Sequence, residues 1–219
     1  MQRTIIVGDV HGCFEELQLL LQKCGYARGD RVVLAGDLVA KGPNSQAVVQ
    51  FARENGLLAV LGNHDDFALQ HRANMEKGQT SSRREHLRDL KPDDWTYLQS
   101  LPLFLRLGPF AGREWVVVHA GVVPGVPIDK QKRDHLLSLR SIDNGGEPTR
   151  RLLVHYPWTA KWQGPDGIVF GHDAVRGLQR TPSAIGIDTG CVYGRELTAL
   201  ILPDERLVQV AARKRYAGR

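Results

Sequence analysis

Cysteine is scarce in this chain. Cys13, Cys24 and Cys191 are spread over 219 positions, and no two of them make a C-x-x-C pair. An odd, dispersed set argues against a disulfide framework and for a reducing compartment, with the cytoplasm as the expected location. All three are expected to be small packing residues, with Cys24 on the apolar face of a first helix. Long apolar runs are also lacking. No stretch approaches the roughly 20 residues of a membrane span, so no membrane association is expected. The N-terminus carries no signal-peptide pattern, because Ile5-Ile6-Val7 is broken at once by Gly8-Asp9. No segment has linker composition, and a single domain over residues 1–219 is expected. No obligate protein partner is evident.

The residues present are those of an ordinary soluble protein, 42% hydrophobic and 24% charged. The net charge of +5 and pI of about 9.3 suit an anionic substrate or nucleic acid. A solvated basic surface explains the same numbers. The basic end, Arg213-Lys214-Arg215-Tyr216-Ala217-Gly218-Arg219, reads as a frayed terminus.

The informative pattern is a recurrence. Thr4-Ile5-Ile6-Val7 runs into Gly8-Asp9-Val10-His11-Gly12, and an amphipathic run follows from Phe14. That is a strand, a tight turn and a helix. Arg31 to Ala35 repeats the construction and runs into Gly36-Asp37-Leu38-Val39-Ala40-Lys41-Gly42-Pro43. Asn44 or Ser45 can cap the helix that follows. Leu57 to Leu61 is a third strand, and it runs into Gly62-Asn63-His64-Asp65. Residues 76–94, including Gln79-Thr80-Ser81-Ser82-Arg83-Arg84, read as a loop and then a short helix from Pro92. Phe104–Leu107 and Trp115–Val118 read as a strand pair ending in His119-Ala120-Gly121. Residues 129–139 read as a helix and 141–150 as a loop. Ile168-Val169-Phe170 leads to Gly171-His172-Asp173, and residues 184–187, 197–202 and 207–211 would finish a second sheet. The fold class expected is α/β, an α+β sandwich whose site is built at strand ends.

The strand ends deliver Asp9, His11, Asp37, Asn63, His64, His119 and His172. Singly, each is an ordinary turn residue or a hydrogen-bonded histidine. Together they meet the needs of two metal ions about 3.5–4 Å apart, which require a bridging carboxylate and a few N/O ligands each. The natural division puts Asp9 and His11 on one ion and Asn63, His119 and His172 on the other, with Asp37 between. Ligation without thiolate allows Mn, Fe, Zn or Co, with Mg also possible and Mn2+ favoured.

In this order, Gly8-Asp9-Val10-His11-Gly12, Gly36-Asp37 through Lys41-Gly42, Gly62-Asn63-His64-Asp65, His119-Ala120-Gly121 and Gly171-His172 resemble the motifs of phosphoprotein-phosphatase-type metallophosphoesterases. The resemblance implies two packed mixed β-sheets flanked by helices, the calcineurin-like fold, and the same ligand set. Where protein Ser/Thr phosphatases carry Asp and Arg, this chain has Ala40 and Lys41. Ala40 is similar to the symmetrical bis(5'-nucleosyl)-tetraphosphatases, and Lys41-Gly42-Pro43 to the ApaH-like phosphatases. Asp188-Thr189-Gly190-Cys191 also resembles both. The long central insertion of the bacterial tetraphosphatases is absent.

The resemblance implies hydrolysis of a phosphoanhydride or phosphoester by in-line attack of a hydroxide bridging two metal ions. The expected reaction splits diadenosine tetraphosphate into two ADP. Capped RNA, nucleoside polyphosphates, inorganic polyphosphate and phosphoproteins are the other substrates weighed, and a phosphate-binding regulatory module is the non-enzymatic reading. His64 is the expected general acid. With Ala40 in place of the supporting aspartate, Asp65 is the candidate to orient the His64 ring. Lys41, Arg140, Asn63 and His64 are the expected phosphate contacts, and Arg176 is a weaker candidate. Tyr156, Trp158, Trp162 and Tyr193 lie near the expected site loops and can stack on a base, although ordinary packing is expected for any one of them.

Overall fold

The computed structural model describes residues 3–77, 87–110, 112–153 and 156–218. In chain order the elements are β1 (Thr4–Val7), α1 (Phe14–Lys23), β2 (Arg31–Leu34), α2 (Ser45–Glu54), β3 (Leu58–Ala59), α3 (Asn63–Glu76) and α4 (Pro92–Ser100). There follow β4 (Phe104–Phe110), β5 (Arg113–Val118), α5 (Arg133–Ser138), β6 (Ser141–Ile142) and β7 (Pro148–Thr149). The chain closes with β8 (Gly167–Phe170), β9 (Gln179–Thr181), β10 (Ala184–Gly186), β11 (Glu196–Leu202) and β12 (Arg206–Ala211). One five-stranded sheet has the order β12-β11-β1-β2-β3, and a second has the order β4-β5-β8-β10-β9.

Side-chain alternation along the strands sets the layers. Ile5 and Val7 of β1 face α1 and α2, where they pack with Leu17, Leu20, Val48 and Val49. Ile6 points the other way. It joins Val33 and Leu200 against Trp115, Val117, Val169 and Ile185 of the second sheet. On the far face of that sheet Val116, Val118, Ile168 and Phe170 pack with Leu136 and Trp158. The result is helices, sheet, sheet, helices. Each fully buried aliphatic side chain stabilises this stack by about 1.5–3 kcal/mol.

The expected two-sheet sandwich is therefore present, with four local differences. Residues 197–202 and 207–211 do not extend the second sheet. They form β11 and β12 of the first, and β11 runs antiparallel to β1 with Thr4 opposite Leu202. A run of apolar residues announces a strand but does not name its neighbour. The helix expected over 129–139 is split into a short turn at Ile128–Lys130 and α5. Gln131 causes the break: its side chain is clamped by the backbone of Val123 and Val126. The loop over 141–150 contains a short antiparallel pair, β6 with β7. The basic C-terminus is not frayed at Tyr216 and Ala217, whose N–H groups both donate to Val192 O at 3.0 Å.

α4 begins at Pro92 as expected, with Asp94 accepting from the Lys91 N–H at 3.0 Å. Gln79 to Arg84 lie outside the described residues. Asn44 is the residue that caps α2, accepting from Ala47 N at 3.0 Å. No helix among the described residues is long and apolar enough to cross a membrane.

Candidate active site

β1, β2 and β3 run parallel, and so do β5, β8 and β10. Their carboxyl ends therefore gather at one end of each sheet, where α/β folds collect polar side chains. Asp9, Asp37 and Asn63 leave the first sheet there; His119, His172 and Asp188 leave the second. The two edges are stitched directly together. His172 N donates to both oxygens of Asp9, at 3.0 and 3.1 Å. His119 Nδ1 lies 2.8 Å from Ala35 O, and its Nε2 lies 3.0 Å from Asn63 Oδ1. A cavity of about 520 Å³ opens over this seam.

Asp37 stands at the centre. Its Oδ2 lies 3.4 Å from His11 Nε2, and its Oδ1 lies 3.5 Å from His119 Nε2. The His64 N–H donates to Oδ1 at 2.8 Å. Backbone carbonyls only accept, so the ring nitrogens facing them carry the protons. His11 Nδ1 donates to Val39 O at 3.1 Å, and His119 Nδ1 donates to Ala35 O. In the neutral rings both Nε2 atoms therefore present lone pairs toward the Asp37 carboxylate. Acceptors aimed at one another are resolved by a cation between them, and such outer hydrogen bonds also orient ligand histidines. His172 points the same way. Its Nδ1 lies 2.8 Å from Asn63 Oδ1, and its buried Nε2 has no partner among the described residues. The donor set of imidazole and carboxylate or amide oxygen suits a divalent metal.

Burial dominates the electrostatics. It pushes the Asp9 carboxyl well above its ordinary range, and the nearby charges of Asp188 and Asp37 add to the shift. Asp188 is raised by burial too, with Asp37 again contributing. For Asp37 burial acts in the same direction, but the rings of His119, His11 and His64 overcome it and hold the carboxyl low. Burial lowers His172 and holds His11 at about 3. An unfolded chain protonates His11 near the usual 6.5, whereas the metal-free folded chain resists until about 3. Between those values the unfolded state binds more protons, so this group's contribution to stability is lost as pH falls through the window. In chelator-treated protein, His11→Asn is expected to flatten that decline, read as the denaturant midpoint against pH. An unchanged profile would remove His11 from the titrating groups.

The backbone at the site is strained. Of the six non-glycine residues with positive φ among those described, five lie here: His11 (46°), Asp37 (51°), Ala40 (76°), Lys41 (64°) and His172 (65°). Each such conformation costs on the order of 1–2 kcal/mol. It is held by cross-loop bonds such as His11 N to Asp37 O at 2.7 Å and Gly12 N to Leu38 O at 2.9 Å.

Asp9, His11, Asp37, Asn63, His64, Lys41, Arg140 and His172 all line the cavity. His119 lies just behind it, fully buried. Lys41 Nζ sits 3.0 Å from His11 Nε2 and 5.3 Å from the Tyr193 ring centre. Arg140 is anchored through His172 O at 3.2 Å. The His64 ring stands edge-on to His11, with centres 5.0 Å apart.

Asp65, expected beside the His64 ring, turns elsewhere. Its Oδ1 accepts from Leu38 N (2.9 Å) and Val39 N (3.1 Å), and its Oδ2 from Gly62 N (3.0 Å). It staples the second turn to the start of α3, and burial together with Asp37 pushes its carboxyl up to about 7. Arg176 is a structural pin, spanning Asp173, Arg140 O, Ser141 and Leu153 O. Of the four aromatic residues that could stack on a base, Tyr193 lines the cavity. Trp158 packs on Phe170 with ring centres 4.9 Å apart.

Sequence reasoning missed Asp188 and Arg150, which also line the cavity. Asp188 was within reach, because it follows a strand as the other site residues do. Arg150 carried no signal, since its place depends on the β6–β7 fold.

Two sheets meeting at their carboxyl ends over a His/Asp/Asn cluster make a centre suited to divalent metal ions, and the family match makes it that of a metal-dependent phosphohydrolase. The chain belongs to the calcineurin-like phosphoesterase family, whose model matches residues 2–182. Membership implies divalent metal ions, and the donor set fits them. A symmetrical bis(5'-nucleosyl)-tetraphosphatase of Aromatoleum aromaticum is 30% identical, over 97% of this chain and 98% of that protein. Bis(5'-nucleosyl)-tetraphosphatase PrpE, asymmetrical, of Oceanobacillus iheyensis is also 30% identical, over 96% of this chain and 93% of that protein. Among solved structures, a candidate diadenosine tetraphosphatase superposes with a TM-score of 0.83 at 36% identity, covering 96% of this chain and 94% of that one.

Proposed function

We propose that this enzyme hydrolyses dinucleoside polyphosphates, with diadenosine tetraphosphate as the type substrate, using two divalent metal ions that Asp37 and its neighbours would hold. The observation that carries the metal arrangement is the placing of Asp37 between two histidines, with one carboxylate oxygen toward each. Asp9 and His11 would complete one position, and Asn63, His119 and His172 the other. Mn2+ is the favoured ion. When bound, such a pair lowers the pKa of a water and offsets charge on the phosphoryl group. The substrate class is supported by the relatives' names and by the lining of the cavity. Lys41, Arg140 and Arg150 supply three cationic side chains for an extended anion, and Tyr193 supplies an aromatic face beside them.

The chain's own residues divide the remaining work. Lys41 meets phosphate as a point charge, and Arg140 as a planar fork. His64 sits where its backbone is tied to Asp37 and its ring lines the cavity, which supports a role as proton donor to the leaving group. His64→Ala is expected to retain the metals and to slow alkyl phosphates by about 10²–10⁴-fold. Nitrophenyl phosphate, whose leaving group needs little protonation, should slow far less. Equal slowing of both would rule out general acid catalysis by this ring.

Relatives named for the symmetrical and for the asymmetrical reaction match at the same identity. Incubating the Mn2+-loaded enzyme with diadenosine tetraphosphate and separating the nucleotides tests the proposal. Two ADP is the expected product, ATP with AMP would assign the asymmetrical reaction, and an untouched substrate would overturn the substrate class.

A further inference from the structure

Next to the turn at residues 8–12 lies a second group of metal-competent side chains that the proposed phosphohydrolase reaction does not use. The ligand atoms of Cys13, Glu16 and Cys191 all lie within 4.8 Å of one another. All three residues are buried, with Glu16 only 1% exposed. One oxygen of Glu16 is accounted for: Oε1 accepts from Tyr216 OH at 2.7 Å and from Arg213 N at 3.0 Å. The other is not. Oε2 is buried without a partner among the described residues. An unpaired buried carboxylate oxygen is costly, and two thiols alongside it do little to offset the cost.

We infer that Cys13, Glu16 and Cys191 form a binding site for a thiophilic divalent cation, Zn2+ being the type ion, separate from the centre around Asp37. Two sulfurs and a carboxylate are a donor set such an ion accepts. Donors about 2.0–2.3 Å from a tetrahedral ion sit less than about 4 Å apart, so the three side chains would draw in from their present spacing to hold it. A disulfide between the two cysteines would leave Glu16 Oε2 unpaired, whereas a cation satisfies it.

The position gives the site a structural consequence. Cys13 caps α1 and follows His11 by two residues. Cys191 opens the turn that ends in Tyr193 and lies three residues beyond Asp188, both of which line the cavity. Glu16 carries the C-terminal segment through Tyr216 and Arg213. A cation here would clamp the first catalytic loop, the Asp188–Tyr193 segment and the end of the chain together. The donors are buried, so the ion would be captured as the chain folds.

The test is to produce the protein in cobalt-supplemented medium, record its absorption spectrum and count thiols in the denatured chain. The expected results are a thiolate-to-cobalt charge-transfer band in the near ultraviolet and three thiols per chain. The centre around Asp37 has no sulfur donor, so the band reports this cluster alone, whatever the fate of the proposed function. Cys24→Ser, at the other end of α1, should keep the band; Cys191→Ser and Glu16→Gln should lose or weaken it. Absence of the band from the unmodified protein would overturn the inference. So would a single thiol per chain, showing a Cys13–Cys191 disulfide, or a band unchanged in Cys191→Ser.

Discussion

Asp37→Asn is expected to abolish hydrolysis, with a loss on the order of 10³-fold or more, and to lower bound metal in parallel. The two oxygens of Asp37 face His11 and His119, so one side chain serves both proposed metal positions. Asparagine keeps the shape and can keep an oxygen toward the His64 N–H, but it removes the charge. The neutral amide would not balance the charge of two cations, and its NH2 group would offer a donor where a ligand oxygen is needed. Elemental analysis with turnover on diadenosine tetraphosphate provides the measurement. An inactive variant that retained both ions would show that Asp37 acts in some way other than bridging. An active one would sink the arrangement altogether.

Gly62→Ala is expected to cost about 10²-fold in turnover through a displacement of Asp37 rather than a backbone effect. Gly62 has φ −91° and ψ 166°, a conformation any residue adopts. The demand on it is purely spatial, because a Cβ there would fall against both Asp37 N and Asp37 Oδ1. Either the carboxylate moves off its histidines or the start of α3 moves off the second turn. Overpacking of this kind destabilises by about 1–3 kcal/mol, readable by denaturant unfolding. Near-normal turnover in this variant would mean that the exact seat of Asp37 does not matter to the reaction. Gly171 makes the same kind of approach to Asp9 and offers an independent second measurement.

These two glycines show what a sequence hides. In the motifs they look like turn residues, chosen for freedom of φ. In the structure Gly62 and Gly171 are demanded by carboxylates from other strands passing where a side chain would be. Asp65 makes a similar point. Next to His64 in sequence, it invites a role in holding that ring. As N3 of α3, it caps the helix by accepting from the Gly62 N–H with one oxygen, while the other oxygen accepts from Leu38 N and Val39 N of the turn after β2. β11 and β12 were legible as strands from their apolar residues, but the pairing of β11 with β1, which puts both in the first sheet, was not. A strand buried on both faces, as β11 is, carries no mark of which neighbour it joins.

The chain's own residue order was enough to determine the main strands and helices of the two sheets, the two-sheet class, the family and the polar residues delivered at strand ends. Those properties are local: periodicity sets the strand or helix, and each motif delivers its polar residue one to four residues beyond the end of a strand. Convergence is not local. It took the tertiary structure to decide that two parallel triplets of strands end together, that Asp37 lies between His11 and His119, and that Asp188 and Arg150 share their cavity. The tertiary structure also decided that Glu16 meets two cysteines 178 positions apart. Distances between side chains on different strands depend on how the sheets twist and pack, and no single stretch of sequence carries that information.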